Sequence, residues 1–313
     1  MEDDVLKQCS IGGVAIEGLA AYVPPRSVAN DENVAKATGI AFRRVAEDGE
    51  TALDLSLRAA ERLLAETGAD RGDFGAVVSV SFTQHDRMPC GACQAQSRLG
   101  LPKGVIAFDV MQACAGYGYG LYLSALLAKQ TGGKVLLLDG DRQSEFLDGA
   151  DAATSPLLGD AGTATVVAPA DGAAEWKFAF ASDGEKGGAL RLENGGTIRM
   201  DGFGVFRFVA TDVVAYLKSF LSSAAPDGDF LFAPHQANVY MVRQLAKSVG
   251  IPDGKLLVSA DRFGNLSSAS IPVTIAAHAE AARGEKILLA GFGGGLSVAL
   301  GLVDVPPGCA IVF

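Results

Sequence analysis

Short apolar runs alternate with longer amphipathic stretches along the chain. Runs at Ala76–Phe82, Val105–Val110, Lys134–Asp139, Phe230–Ala233 and Lys286–Ala290 read as strands. Their near-continuous apolar character is that of strands covered on both faces. Helix-like segments lie between them at Thr51–Thr67, Ala115–Lys129, Thr211–Ser223 and Ser267–Ala282. Strand alternating with helix predicts an α/β architecture of mainly parallel sheets, with working loops at the C-terminal ends of strands.

The pattern repeats. Residues 100–104 read G-L-P-K-G and residues 250–254 read G-I-P-D-G. Each is followed by an expected strand (Val105–Val110, Leu256–Ser259), then by a small-residue turn with one polar group, Cys114 or Asn265, then by a helix and another strand. Upstream, equivalent loops hold Thr83–Met88 and His235–Asn238. Gly-Pro turns recur by chance in many α/β chains, but the matched distances ahead of Cys114 and Asn265 favour duplication. The expected division is 1–170 and 171–313, which places Cys114 in one half and His235 and Asn265 in the other. A pseudo-two-fold arrangement of the halves would bring these three loops together.

Composition narrows the class. Hydrophobic residues make up 49% of the 313 residues, and the mean hydropathy of +0.25 suits sheets buried on both faces. No apolar stretch is long and uncharged enough to span a bilayer, and the start, Met1-Glu2-Asp3-Asp4, has no signal-peptide pattern. A cytoplasmic protein without a membrane partner is expected. The formal net charge of −10 argues against nucleic acid as a partner. Five cysteines do not make a disulfide framework in a chain this long. Cys90 and Cys93 have redox or half-zinc spacing, but no second pair or His set supports a metal site, and a coincidental pairing is the simpler reading.

Three residues stand out for chemistry. Cys114 lies in D-V-M-Q-A-C-A-G-Y-G, between a strand and a helix start, where the helix N-terminus can lower a thiol pKa. Ala113, Ala115 and Gly116 leave the sulfur accessible. The competing reading is a buried, inert cysteine. His235 follows a strand directly in A-P-H-Q-A-N and is one of only three histidines; a satisfied core histidine is the alternative. Asn265 in D-R-F-G-N-L-S-S-A-S-I-P is equally a good helix cap. The turn Gly291–Gly295 makes a poor dinucleotide loop, but its N–H groups could serve an oxyanion.

The segments around Cys114, P-H-Q-A-N at 234–238, D-R-F-G-N-L-S-S-A-S-I-P at 261–272 and G-F-G-G-G at 291–295 resemble the β-ketoacyl-acyl-carrier-protein synthase III family in order and separation. The similarity includes T-G-I at 38–40, A-C-Q-A-Q-S-R-L-G at 92–100 and G-D-A-G at 159–162. The resemblance implies a thiolase fold, a duplicated five-layer αβαβα arrangement, and a homodimer. It implies that Cys114 carries an acyl group, that His235 and Asn265 act on a malonyl thioester, and that the N–H groups of Cys114 and Gly294 form the oxyanion hole. Phe292 matches an aromatic beside the departing carboxylate, and Met88 a residue that helps close the partner's acyl pocket. The implied reaction is a decarboxylative Claisen condensation giving a β-ketoacyl thioester, with no cofactor or metal, in fatty-acid or polyketide synthesis. Alternatives are an acyltransferase of specialised metabolism with another acceptor, a non-condensing subunit of a heteromeric synthase, or a Cys-His-Asn hydrolase.

The sequence departs from the family at the donor site. Many relatives carry a Trp and an Arg around a T-R-T-G-I segment that contacts the CoA nucleotide. Here N-D-E-N-V-A-K-A-T-G-I at 30–40 lacks the Trp and has Ala37 in place of the Arg, and a second Arg near Glu145 or Phe146 is missing. An acyl carrier protein is therefore expected to be a better donor than CoA, docking at Arg207, Arg243 and Lys247.

Overall fold

The computed structural model describes residues 6–225 and 227–313; the acidic start noted above lies outside them. Two sheets carry the fold. The first orders its six strands Ala310–Val312, Val14–Tyr22, Asp160–Pro169, Lys134–Arg142, Phe74–Val80, Ile106–Val110. The second orders five: Lys7–Ile11, Trp176–Ser182, Ser297–Asp304, Lys286–Gly293, Leu231–Pro234.

The apolar runs have the two-faced burial they were expected to have, except at the edge strand Ile106–Val110, which is only partly covered. In Lys134–Arg142, Val135 and Leu137 face the layer between the sheets, while Leu136 and Leu138 face the outer helices. In Lys286–Gly293, Ile287 and Leu289 point inward and Leu288, Ala290 and Phe292 outward. Alternation by one residue is the period of a strand, and neither face meets water. Helices Gly116–Thr131 and Ser270–Ala277 fill the space between the sheets. Ala52–Thr67 covers the outside of the first sheet, and Val214–Ala224 with Val239–Ser248 the outside of the second. The result is five layers, helix-sheet-helix-sheet-helix, as a duplicated α/β chain requires.

The helix Ala52–Thr67 shows how local chemistry sets an element. Thr51 Oγ1 accepts from the Asp54 N–H at 3.1 Å while Asp54 accepts from the Thr51 N–H at 2.8 Å. This reciprocal cap satisfies two N-terminal donors, and Gly68, at φ 61°, ends the helix in the left-handed conformation.

Three expectations need correction. The sheets are mixed. Lys134–Arg142 pairs antiparallel with Asp160–Pro169, and Lys286–Gly293 antiparallel with Ser297–Asp304, because neither connection, 143–159 or 294–296, holds a crossover helix. Leu256–Ser259 forms no strand; a single bridge from Leu256 to Phe232 remains, because the chain turns at once into the short helix Ala260–Phe263. The helix expected at Thr211–Ser223 begins earlier: Gly202–Phe208 runs through a π turn at Val209–Val213 into Val214–Ala224. The expected division at 170/171 falls in the turn between Asp160–Pro169 and Trp176–Ser182, although the first and last strands each join the sheet of the other half.

Candidate active site

Cys114 sits in the short turn Ala113–Ala115 that links the strand Ile106–Val110 to the central helix Gly116–Thr131. Ala113 has φ 40°, and Ser267, next to the Asn265 loop, has φ 54°. Among the described residues these are the only non-glycine residues with positive φ, a costly conformation for a side chain with Cβ. The strain makes the chain reverse sharply at Cys114. Space is made from below by Gly291 and Gly293. A Cβ on Gly293 would lie 2.8 Å from Cys114 Cβ and 3.0 Å from its Sγ, and one on Gly291 2.9 Å from Ala115 Cα.

Cys114 is 7% exposed. Ser267 Oγ donates toward its sulfur at 3.9 Å, and the backbone N–H groups of Cys114 and Gly294 are directed at it. All three favour a thiolate, yet burial outweighs them and pushes the thiol up to about 12. The expected lowering by the helix N-terminus is therefore overturned, because removal from water dominates. The resting group is a neutral thiol.

His235 extends the parallel pairing of Leu231–Pro234 with Lys286–Gly293, its N–H donating to Ala290 O at 2.8 Å. The ring is buried, which holds its pKa down at about 4. Nδ1 lies 3.0 Å from the Ser267 carbonyl. A carbonyl only accepts, so Nδ1 carries the proton and Nε2 of the neutral ring is left as an acceptor. The Phe292 ring stands edge-on to the imidazole, at 84° with centroids 5.4 Å apart. Asn265 is held by its backbone: its N–H donates to Leu157 O at 2.8 Å, and its carbonyl accepts from Gly159 N–H at 2.9 Å. Its Oδ1 accepts from Ser267 N–H at 3.0 Å, which leaves Nδ2 as a free donor.

Beneath this layer are two buried carboxyls. Asp141 Oδ1 accepts from Phe82 N–H at 2.9 Å and from the Ser81 and Thr83 hydroxyls at 3.0 Å, yet burial still raises its pKa to about 6. Asp139 accepts from Ser268 Oγ at 2.5 Å and is pushed well above the usual carboxylate range, by burial and then by Asp141. Ser267 and Ser268 thus link the acids to the loop that serves Cys114, His235 and Asn265.

These residues open onto one cavity of about 370 Å³. Cys114, His235, Asn265, Phe292 and Gly294 share its wall, and Phe82, Leu157, Leu158, Leu190, Leu192 and Ile198 make much of it apolar. Polar groups converging on an apolar pocket mark a small-molecule site. Residues 108–184 match the family model for 3-oxoacyl-[acyl-carrier-protein] synthase III, and residues 227–305 the model for its C-terminal part. A β-ketoacyl-[acyl-carrier-protein] synthase III of Geobacillus kaustophilus is 32% identical over 303 residues, covering 91% of this chain and 96% of the relative. The chain belongs to the β-ketoacyl-[acyl-carrier-protein] synthase III family. A synthase III of Streptomyces glaucescens is 31% identical over 321 residues, covering 93% and 96% of the two chains. Among solved structures, the 3-oxoacyl-(acyl-carrier protein) synthase of Burkholderia xenovorans superimposes with a TM-score of 0.93 at 30% identity, covering 99% of each chain. The priming β-ketosynthase of the R1128 polyketide pathway gives 0.84 at 30% identity, covering 95% of this chain and 98% of that one. The thiolase fold of these enzymes is the fold described above.

In this synthase III the remaining candidates lie apart from the cavity. Met88 is 87% exposed. Arg207, Arg243 and Lys247 are exposed on two helices that line the cavity through Val205 and Met241. They do not form one patch. Arg243 and Lys247 share a surface hollow with Tyr240, whereas Arg207 lines another with Glu185, Asp201 and Asp212. Trp176 is buried in the core. Sequence reasoning missed Ser267, Asp139, Asp141 and Gln143. The D-G-D at 139–141, two acids ending an unbroken apolar run, was the available signal for the buried pair.

Proposed function

We propose that this synthase III condenses a Cys114-bound acyl group with a malonyl thioester. One observation carries the reading: a cysteine sulfur on the wall of an apolar cavity, under two backbone N–H donors, faces the same space as a histidine acceptor and an asparagine donor. In the first half-reaction the Cys114 sulfur adds to the acyl thioester carbonyl as its thiol proton passes through solvent to the carrier sulfur. The N–H groups of Cys114 and Gly294 hold the oxyanion, an effect worth on the order of 3–4 kcal/mol per donor. The C–S bond to the carrier then breaks, and the proton leaves on the carrier sulfur. In the second half-reaction the malonyl C–C bond to CO₂ breaks and its electron pair moves onto the thioester oxygen, where Asn265 Nδ2–H donates. The enolate carbon attacks acyl-Cys114, a C–C bond forms, and the released Cys114 thiolate takes up one proton. That proton, entering on His235 Nε2 from solvent, turns the ring into a second donor to the enolate before it passes to sulfur. Phe292 fixes the ring and presents an apolar face to the departing carboxylate.

The test is intact-protein and product mass spectrometry with acyl and malonyl thioesters. Wild type should gain the acyl mass on Cys114 and release CO₂ with a β-ketoacyl product. Cys114→Ala should gain nothing, and His235→Ala and Asn265→Ala should lose decarboxylation far more than acylation. Acyl transfer to another acceptor without CO₂ release would reject the condensation.

The two halves, 1–170 and 171–313, are proposed to be copies of one unit. A homodimer is proposed from the exposed apolar residues Ile106 and Met111 (44% and 73% exposed) in and just after a strand paired on only one side, together with the exposed Met88 (87%). Sedimentation should give twice the monomer mass, and Met88→Asp should shift it toward monomer. Full activity as a monomer would reject a pocket shared across the interface. The carrier is proposed to be an acyl carrier protein at Arg243 and Lys247, neither of which is ion-paired among the described residues; Arg207, set among carboxylates, drops out of the surface.

A further inference from the structure

Gln143 occupies a place that the mechanism does not use. It follows the strand Lys134–Arg142, is 2% exposed, and lines the cavity. Its Nε2 donates to the Gly159 carbonyl at 2.7 Å and to the Asn265 carbonyl at 2.8 Å. Both partners are carbonyls, so the orientation of the amide is settled, and both amide hydrogens are consumed. Oε1 is then the only group that Gln143 has left to offer. No donor reaches it among the hydrogen bonds of the described residues, and it is not among the side-chain atoms sealed from the cavity and solvent without a partner. Apolar residues flank it: Leu158 adjoins Gly159, and Phe82 adjoins Thr83, whose hydroxyl takes the Arg142 N–H at 2.8 Å; Asn265 Nδ2 is the polar neighbour, and no bond joins it to Oε1. The nearby Thr154 hydroxyl donates its hydrogen to Asp151 at 2.8 Å, so it adds no donor either.

We propose that Gln143 Oε1 is a specificity determinant that selects acyl groups carrying a hydroxyl on an otherwise aliphatic chain. The proposal rests on the acyl-Cys114 reading and names the acyl class that the site takes. A buried acceptor facing apolar walls is costly while it lacks a donor and favourable once it has one. A hydroxyl on the acyl chain supplies that donor, and an unsubstituted chain strips water from Oε1 and returns nothing. An acidic or carbonyl-bearing chain would set acceptor against acceptor.

The experiment measures the rate of Cys114 acylation by intact-protein mass spectrometry, using N-acetylcysteamine thioesters so that recognition depends on the acyl end. Butyryl and hexanoyl donors are compared with 3-hydroxybutyryl, 3-hydroxyhexanoyl and 5-hydroxyhexanoyl donors. In wild type, one hydroxylated donor should react on the order of tenfold faster than the plain chain of its length. Gln143→Met, which keeps length and removes the acceptor, should bring that ratio to one or below. Plain chains outrunning every hydroxylated donor in wild type would overturn the proposal, and so would an unchanged ratio in Gln143→Met. The wild-type comparison decides even where the variant fails to fold. Acylation by plain chains alone leaves the acyl-Cys114 reading standing and removes this one; acylation by none removes both.

Discussion

Replacing Gly293 by alanine tests whether the glycines beneath Cys114 set the position of the nucleophile. The added Cβ would meet Cys114 Cβ at 2.8 Å and Sγ at 3.0 Å, whereas carbon contacts settle at about 3.5–4.0 Å. Gly293 is not in the left-handed region, so the backbone accepts alanine and the whole cost falls on the contact. The sulfur must move by roughly 0.5–1 Å. Overpacking of this kind costs about 1–3 kcal/mol of stability, and a displacement near 1 Å costs on the order of 100-fold in rate. The neighbouring positions supply the controls. Gly291→Ala presses on backbone, with Ala115 Cα at 2.9 Å and Cys114 O at 3.0 Å, and should cost more stability. Gly294→Ala meets nothing nearer than Ala113 Cβ at 3.4 Å and keeps its N–H, so it should acylate close to the wild-type rate. The assay is the acylation rate of Cys114 by mass spectrometry, beside thermal unfolding of each variant. A folded Gly293→Ala protein that acylates as fast as wild type would refute the idea that this contact places the sulfur.

Two further predictions concern protons and the donor. His235 has its pKa lowered from 6.5 to about 4, so the unfolded chain binds the extra proton between these values. Its contribution, about 3 kcal/mol in full, is present above pH 6.5 and is lost as pH falls toward 4. Asp141, raised from 3.8 to about 6, acts in the opposite sense: its contribution is present below about 3.8 and is lost as pH rises through 6. Between pH 7 and 5 His235→Gln should therefore gain more stability, or lose less, than wild type, the difference reaching about 2 kcal/mol in urea unfolding; parallel profiles would contradict the assigned neutral ring. For the donor, kcat/KM at low salt should be higher for an acyl chain on carrier protein than on CoA, and reversing the charges of Arg243 and Lys247 should erase the advantage. A CoA preference indifferent to those charges would reject the docking surface.

Much of the fold could be read from the chain because its strands are buried on both faces. Val135–Leu138 and Ile287–Ala290 are apolar at every position, and the helices between them are marked by period and by caps such as Thr51 with Asp54. Cys114, His235 and Asn265 were visible as polar residues in small-residue turns after strands, the places where an α/β sheet offers its loops. What stayed hidden depends on closure in three dimensions. The direction of the Cys114 shift follows from how completely the pocket excludes water, which no local motif encodes. Gln143 donates to backbone carbonyls of other segments, and Ser267 offers its own carbonyl to His235; a carbonyl has no residue identity to read. Leu256–Ser259 has strand composition, but a strand needs a neighbour with free edge groups over several residues, and Phe232 offers that segment only one bridge.

The exchange of terminal strands has a consequence for how the molecule comes into being. Lys7–Ile11 finds its partner only when Trp176–Ser182 has been made, and Val14–Tyr22 receives its outer neighbour only when Ala310–Val312 has been made. Neither sheet can finish while the other half is absent, so the chain cannot mature one half at a time. Pairings that span nearly the whole length are slow to form, and until they form each growing sheet carries an open edge. The two strands act as latches, each closing the half it does not belong to: the first can shut once Trp176–Ser182 is made, the second only once Ala310–Val312 has followed.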